Sequence, residues 1–266
     1  MILAGIVGMG VGSILADEQP ATHERAGAPL PSSVLFADSE VISLFNGRNF
    51  DGWVMTDGSP VNDEWEVIDG MIHLKPHTGT RAGSIRTTET FECFELEFEW
   101  RVAAGGNSGV KYLASEADSP GGRHFLGCEY QLLDDAGHKN GRIPTKTAGS
   151  LYDLYAADPI TKQLRPAGEF NHGRIVCHNG RIEHWLNGKK VVEAVVGSDD
   201  WEARRRQSKF GEIAGFADGP GVILLQEHLS EAWFRHLRLT RFLTAEPSEK
   251  RHRKDAQFRD SAGSVP

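Results

Sequence analysis

Gly173-Arg174-Ile175-Val176-Cys177-His178-Asn179-Gly180-Arg181-Ile182-Glu183-His184-Trp185-Leu186-Asn187-Gly188-Lys189-Lys190-Val191-Val192-Glu193-Ala194-Val195 is the stretch that decides the fold class. Asn-Gly pairs at Asn179-Gly180 and Asn187-Gly188 cut it into three runs, Arg174 to His178, Arg181 to Leu186 and Lys189 to Val195. Asn and Gly tolerate the positive φ values of a two-residue type I′ turn, whose twist suits the strands it joins, so the stretch predicts an antiparallel three-stranded meander. At a period of two, Ile182, His184 and Leu186 share one face of the middle run and Glu183 and Trp185 the other, with Trp185 most simply placed in the core.

The same grammar extends in both directions. Glu64 to Leu74 alternates around Asp69-Gly70 and reads as a second hairpin. Phe94, Leu96, Phe98 and Trp100 alternate with Glu95, Glu97 and Glu99; like charges at spacing two repel, so the acids belong on a solvated outer face. Asn107 to Leu113 continues from a Gly105-Gly106 turn, and two closing strands are expected over Val222 to His228 and Ala232 to Phe242. The one helix-like stretch is Trp201 to Gln207. No repeat of solenoid or propeller period is present. Many short strands and frequent glycine turns predict an all-β fold, an antiparallel β-sandwich or jelly roll.

The chain has 266 residues and 39% hydrophobic content, enough for one large domain, expected over 39–243. A net charge of -8 argues against nucleic-acid binding. Residues 1–16 are apolar and small without a basic start, a signal-like segment ending at Ala16; residues 17–38 read as a linker and 244–266 as a disordered tail. Secretion, or export to the periplasm, without a stable membrane span, is the resulting expectation. Cys93, Cys128 and Cys177 contain no C-x-x-C, which leaves no thiolate zinc motif; Cys93 and Cys128 read as small core residues.

Chemistry concentrates around Gly127-Cys128-Glu129-Tyr130-Gln131-Leu132-Leu133-Asp134-Asp135. Cys128, Tyr130 and Leu132 share one face, and Glu129 and Gln131 the other, so a carboxylate and an amide lie side by side. A curved sheet has a concave side, and Glu129, Gln131, His184, Gln226 and His228 are expected to meet there. The long polar segment Ala136 to Thr147 is of a length that is often functional within a compact domain.

Seven blocks appear in order: Asn107-Ser108-Gly109; Glu129-Tyr130-Gln131 with Asp134; Gly149-Ser150-Leu151-Tyr152-Asp153; Pro166 to Asn171; Asn179-Gly180; His184-Trp185-Leu186-Asn187-Gly188; and Leu225-Gln226-Glu227-His228. Together, over Val41 to Phe242, the chain resembles the 3-keto-disaccharide hydrolase family, with Phe170, Glu227 and His236 departing from its pattern. The resemblance implies a concanavalin A-like lectin/glucanase sandwich and action on glycosides already oxidised at carbon 3. A ketone there acidifies the hydrogen on carbon 2, so a base can remove it while the glycosidic oxygen leaves by elimination, with or without later addition of water. Glu129, His184 and His228 are then the catalytic candidates; Asn107, Gln131, Asp134, His138, Tyr152, Glu169, Asn171 and Gln226 are the substrate-binding ones. A divalent metal on Glu129 and His228 would help hold the enolate, whereas no nucleotide cofactor is implied. Two other readings compete: a non-catalytic, lectin-like carbohydrate-binding module, and an ordinary glycanase, for which Gln131 stands where a second carboxylate is wanted.

Overall fold

The computed structural model describes residues 39–76, 79, 81–119 and 122–242, all within the compact unit Phe36–Pro266. The signal-like segment, the linker and the tail lie outside the described residues. In chain order the strands are β1 (Ser39–Ser43), β2 (Trp53–Met55), β3 (Trp65–Ile68), β4 (Met71–Leu74), β5 (Ile85–Thr87), β6 (Phe94–Val102), β7 (Asn107–Ser119), β8 (Gly122–Leu133), β9 (Asn171–His178), β10 (Arg181–Leu186) and β11 (Lys189–Val195). A helix α1 (Asp199–Gln207), capped by the Ser198 side chain, precedes β12 (Val222–Leu225) and β13 (Ala232–Phe242).

Two antiparallel sheets build the β-sandwich that the alternating strands predict. The larger runs β11-β10-β9-β6-β13-β4-β3 with β1 added on β13, and the smaller runs β2-β5-β12-β7-β8. The expected meander is β9-β10-β11, with Asn179 and Asn187 at φ 49° and 47° in its turns. Asp69 at φ 50° and Gly70 at φ 72° make the β3-β4 turn.

Alternation decides what each sheet buries. Phe94, Leu96, Phe98, Trp100 and Val102 of β6 face Val110, Tyr112, Cys128, Tyr130 and Leu132 of the smaller sheet across a closed core. Glu95, Glu97 and Glu99 lie on the outer wall, paired with Arg174, Arg238 and Arg235. Trp185 is also on that wall rather than in the core: Arg174 lies 4.0 Å above its ring and its Nε1 donates to Glu183. Its strand buries the other face, with Ile182, His184 and Leu186.

One irregularity shapes the smaller sheet. Tyr112 pairs with Cys128 and Ser115 with Leu126, so Leu113 and Ala114 together oppose Gly127, a β-bulge with Leu113 at φ 48°. A Cβ at Gly127 would lie 2.6 Å from Ala114 Cα, and one at Gly221 would lie 2.2 Å from Ala114 N. The bulge is thus wedged between two backbones that approach only because both positions lack side chains. Bulges bend and twist the strand that carries them, and this one divides the ribbon beyond Ser115 from the paired rows before it.

Candidate functional site

Register on the smaller sheet lays out the site. Val54 pairs with Arg86, Arg86 with Leu224, Leu224 with Lys111 and Lys111 with Glu129, one row across β2, β5, β12, β7 and β8. Paired residues share a face, and their chain neighbours Ile85, Tyr112, Tyr130, Ile223 and Leu225 are buried in the core, so this row lines the sheet's other face. The next row holds Gln131 opposite Gly109, with Gln226 donating its backbone N–H to the Gly109 carbonyl. His228 and Asn107 follow.

Glu129 is 3% exposed, and its carboxylate lies across Gly109, where a Cβ would come within 2.6 Å of Oε1. Glycine at that position gives the carboxylate its berth. The backbone carbonyl of Glu129 accepts the Tyr152 N–H, because Gly149 to Tyr152 runs along the free edge of β8. Tyr152 therefore flanks the site. Lys209 lies over its ring at 4.3 Å and Lys146 at 5.5 Å. Desolvation lowers the proton affinity of Lys209, an effect that the nearby Glu129 opposes. Desolvation also raises the Tyr152 pKa, with Lys146 pulling it down and Glu129 pushing it up.

A hydrogen-bonded chain leads away from Gln131. Its Nε2 donates to Asn107 Oδ1 at 2.8 Å, and Asn107 Nδ2 donates to His228 Nδ1 at 3.1 Å. The first bond fixes which end of the Asn107 amide faces His228. A neutral His228 then carries its proton on Nε2. Gln131 Oε1, buried, has no partner among the described residues and remains an open acceptor. His138 stands near His228: burial, then repulsion from His228 and Lys139, lowers its proton affinity, with Asp134 working in the opposite sense.

The sequence-predicted residues divide accordingly. Glu129, Gln131, Asn107, Gln226 and His228 fall on or beside the outer face of the smaller sheet, with Tyr152 and His138 near them. His184 is a correction. It is fully buried between the sheets, Nδ1–H donating to the Gly149 carbonyl at 3.0 Å and Nε2 accepting from Tyr112 O–H at 2.7 Å. Burial holds its pKa down at about 4, so it is a neutral tie between the sheets. Asp134 spends both carboxylate oxygens on the Gly105, Ala136 and Gly137 amides, and His138 Nδ1 caps the turn at Asn140; no side-chain pair joins the two. Glu169 is exposed in the bend before β9, and Asn171, buried, opens β9 of the larger sheet. Asn171 Oδ1 accepts from Arg165 N and Asn187 Nδ2, and Phe170 between them lies under Arg101 and Arg235 on the outer wall. Asn171 is a loop brace on the sheet opposite to the one that carries Glu129 and Gln131.

Lys111, Arg86, Lys146 and Lys209 were missed. A lysine or arginine alternating with apolar residues reads as solvated surface; only the cross-strand register puts Lys111 opposite Glu129. Among the described residues no group of three or more His, Cys, Asp or Glu is arranged to hold a metal ion. Glu129 and His228 therefore belong to no such group among the described residues. No helix among the described residues is long and apolar enough to cross a membrane.

Comparison with known proteins shows the family. A family model described as a 3-keto-alpha-glucoside-1,2-lyase-like domain matches residues 40–240. A 3-keto-disaccharide hydrolase of Bacteroides thetaiotaomicron is 32% identical over 254 residues, covering 84% of this chain and 87% of its own length. Two solved structures from Parabacteroides distasonis, each described as a candidate glycosyl hydrolase, superpose with TM-scores of 0.66 and 0.54 at 30% and 26% identity. They cover 77% and 75% of this chain and 94% and 98% of their own. The matched span includes both sheets and every groove residue named above, and the chain belongs to the family of 3-keto-alpha-glucoside-1,2-lyase-like domains.

Proposed function

We propose that the protein is a carbohydrate-active enzyme that cleaves 3-keto-glycosides by elimination across carbons 1 and 2. The observation that carries this reading is a buried carboxylate, Glu129, on the same groove face as an imidazole held by Asn107. Glu129 takes the proton from carbon 2, which the neighbouring ketone has acidified. The electron pair forms the C1–C2 double bond as the C1–oxygen bond breaks, and the departing oxygen takes the Nε2 proton of His228. Water then adds at carbon 1 and a proton returns to carbon 2, giving net hydrolysis.

This route needs no second carboxylate, consistent with Gln131 where an oxocarbenium mechanism would want one. Gln131 Oε1 and Gln226 are groups for sugar hydroxyls. Lys209 and Lys146, around Tyr152 beside Glu129, supply positive potential for the enolate, the kind of fixed electrostatic stabilisation that lowers such barriers most.

The test is turnover of purified protein on 3-keto-glucosides and 3-keto-disaccharides, with products identified. Glu129→Gln, an isostere without a base, is expected to lower kcat on the order of 10³-fold while still binding substrate. Binding by the parent protein without any product would instead identify a lectin-like module.

A further inference from the structure

Beyond Lys111 the same face of the smaller sheet enters a hollow of about 300 Å³, lined by Thr56, Ser84, Lys111, Phe125 and Leu224, with Asp57, Glu116, Arg123 and His124 also around it. It is one strand away from Glu129, because Lys111 is the register partner of Glu129. The ribbon beyond the bulge supplies its far wall, Phe125; Leu224, 2% exposed, is its floor. Arg86, the other register partner of Leu224, lays its guanidinium 4.9 Å from the Phe125 ring centre.

The lining holds Lys111 and Arg123 with Asp57 and Glu116, and Arg86 stands beside it against Phe125. Neither Lys111 nor Arg86 has a carboxylate within ion-pair distance among the described residues, whereas Arg174, Arg235, Arg238 and Arg241 on the larger sheet are all paired. Lys111 Nζ reaches only the Phe125 carbonyl at 3.4 Å, and Arg86 Nη1 only the Thr87 carbonyl at 3.2 Å. Arg86 Nε is buried and has no acceptor among the described residues. A buried donor left unmatched is costly, so Arg86 is short of an acceptor, and with Lys111 on the other side of Leu224 an anion is the best one. The two acids at its margin are already engaged, Asp57 by the Ser59 amide and hydroxyl and Glu116 by Arg123.

We propose that this hollow is the leaving-group subsite and that it selects an aglycone ring carrying a carboxylate. The ring lies on Leu224 and against Phe125, and its carboxylate accepts from Arg86 and Lys111. The inference rests on the cleavage of 3-keto-glycosides proposed above.

The experiment compares kcat/KM for two 3-keto-glucosides of matched shape, one with 4-hydroxybenzoate and one with 4-hydroxybenzamide as leaving group. A preference of about tenfold for the carboxylate is expected, as charge-assisted hydrogen bonds are stronger than neutral ones. It should fall on raising the salt, collapse towards one in Arg86→Gln and in Lys111→Gln, and persist in Arg86→Lys. Two independent variants guard against one that folds poorly. Equal cleavage of the two substrates, or a preference that survives both glutamine variants, overturns the subsite alone. Failure to cleave either substrate or any unsubstituted 3-keto-glucoside overturns the proposed function, and the subsite with it.

Discussion

His184 and His228 are both histidines on sandwich strands or their extensions, yet their surroundings give them opposite characters. His184 has its two ring nitrogens satisfied in the neutral state by Gly149 and Tyr112, and burial keeps its pKa near 4 against an ordinary 6.5. Between pH 6.5 and 4 the unfolded chain binds a proton there that the native state refuses, so this contribution to stability is complete above pH 6.5 and lost as the pH falls. The difference amounts to about 3 kcal/mol. Urea unfolding across that range should therefore show a steeper pH dependence in the parent than in His184→Asn. His228 is exposed, with Asn107 donating to its Nδ1. Asn107→Asp replaces that donor by an acceptor and moves the imidazole proton to Nδ1, away from the leaving oxygen. Steady-state kinetics should show kcat falling by about 10²-fold with KM little changed, because the acid is needed only in the transition state.

At the scale of elements, the alternation of β6, β8 and β10 and the Asn-Gly turns were legible because they depend on neighbours along the chain. Which face of a strand meets the core depends on what lies across from it. For β10 the answer was present in its own sequence: Ile182 and Leu186 flank His184 on one face, and their burial carries His184 inside. The β7 bulge was not legible. It needs Gly127 and Gly221, residues distant along the chain, to press from either side on Leu113 and Ala114. Gly127→Ala puts a methyl group against backbone atoms at 2.6–2.8 Å that cannot rotate away. A loss of about 1–3 kcal/mol in urea-derived unfolding free energy is expected, as for other overpacked sites. Alanine at a turn glycine such as Gly52, where nothing lies within 4 Å, would suffer only the strain of its positive φ.

Over the whole molecule, the outer walls of the two sheets differ in how their charges are paired. The larger sheet's outer wall is covered by Glu–Arg pairs, while the smaller sheet carries Glu129, Gln131, Asn107, Gln226 and His228 together with cations whose partners are not carboxylates of the described residues. The carboxylate and amides of that face were readable from alternation and motif. The cations were not, since their significance comes from register across separate strands. Asp134 and Asn171 are polar because the turn and the sheet end beside them need backbone amides bonded. The central claim is that cleavage begins with removal of the carbon-2 proton. It is tested most directly by following a 3-keto-glucoside deuterated at carbon 2 through a single turnover in ordinary water, with an enzyme-free control for spontaneous exchange. The account predicts that the released sugar has lost its deuterium to solvent in step with bond cleavage; a released sugar that keeps its deuterium contradicts it.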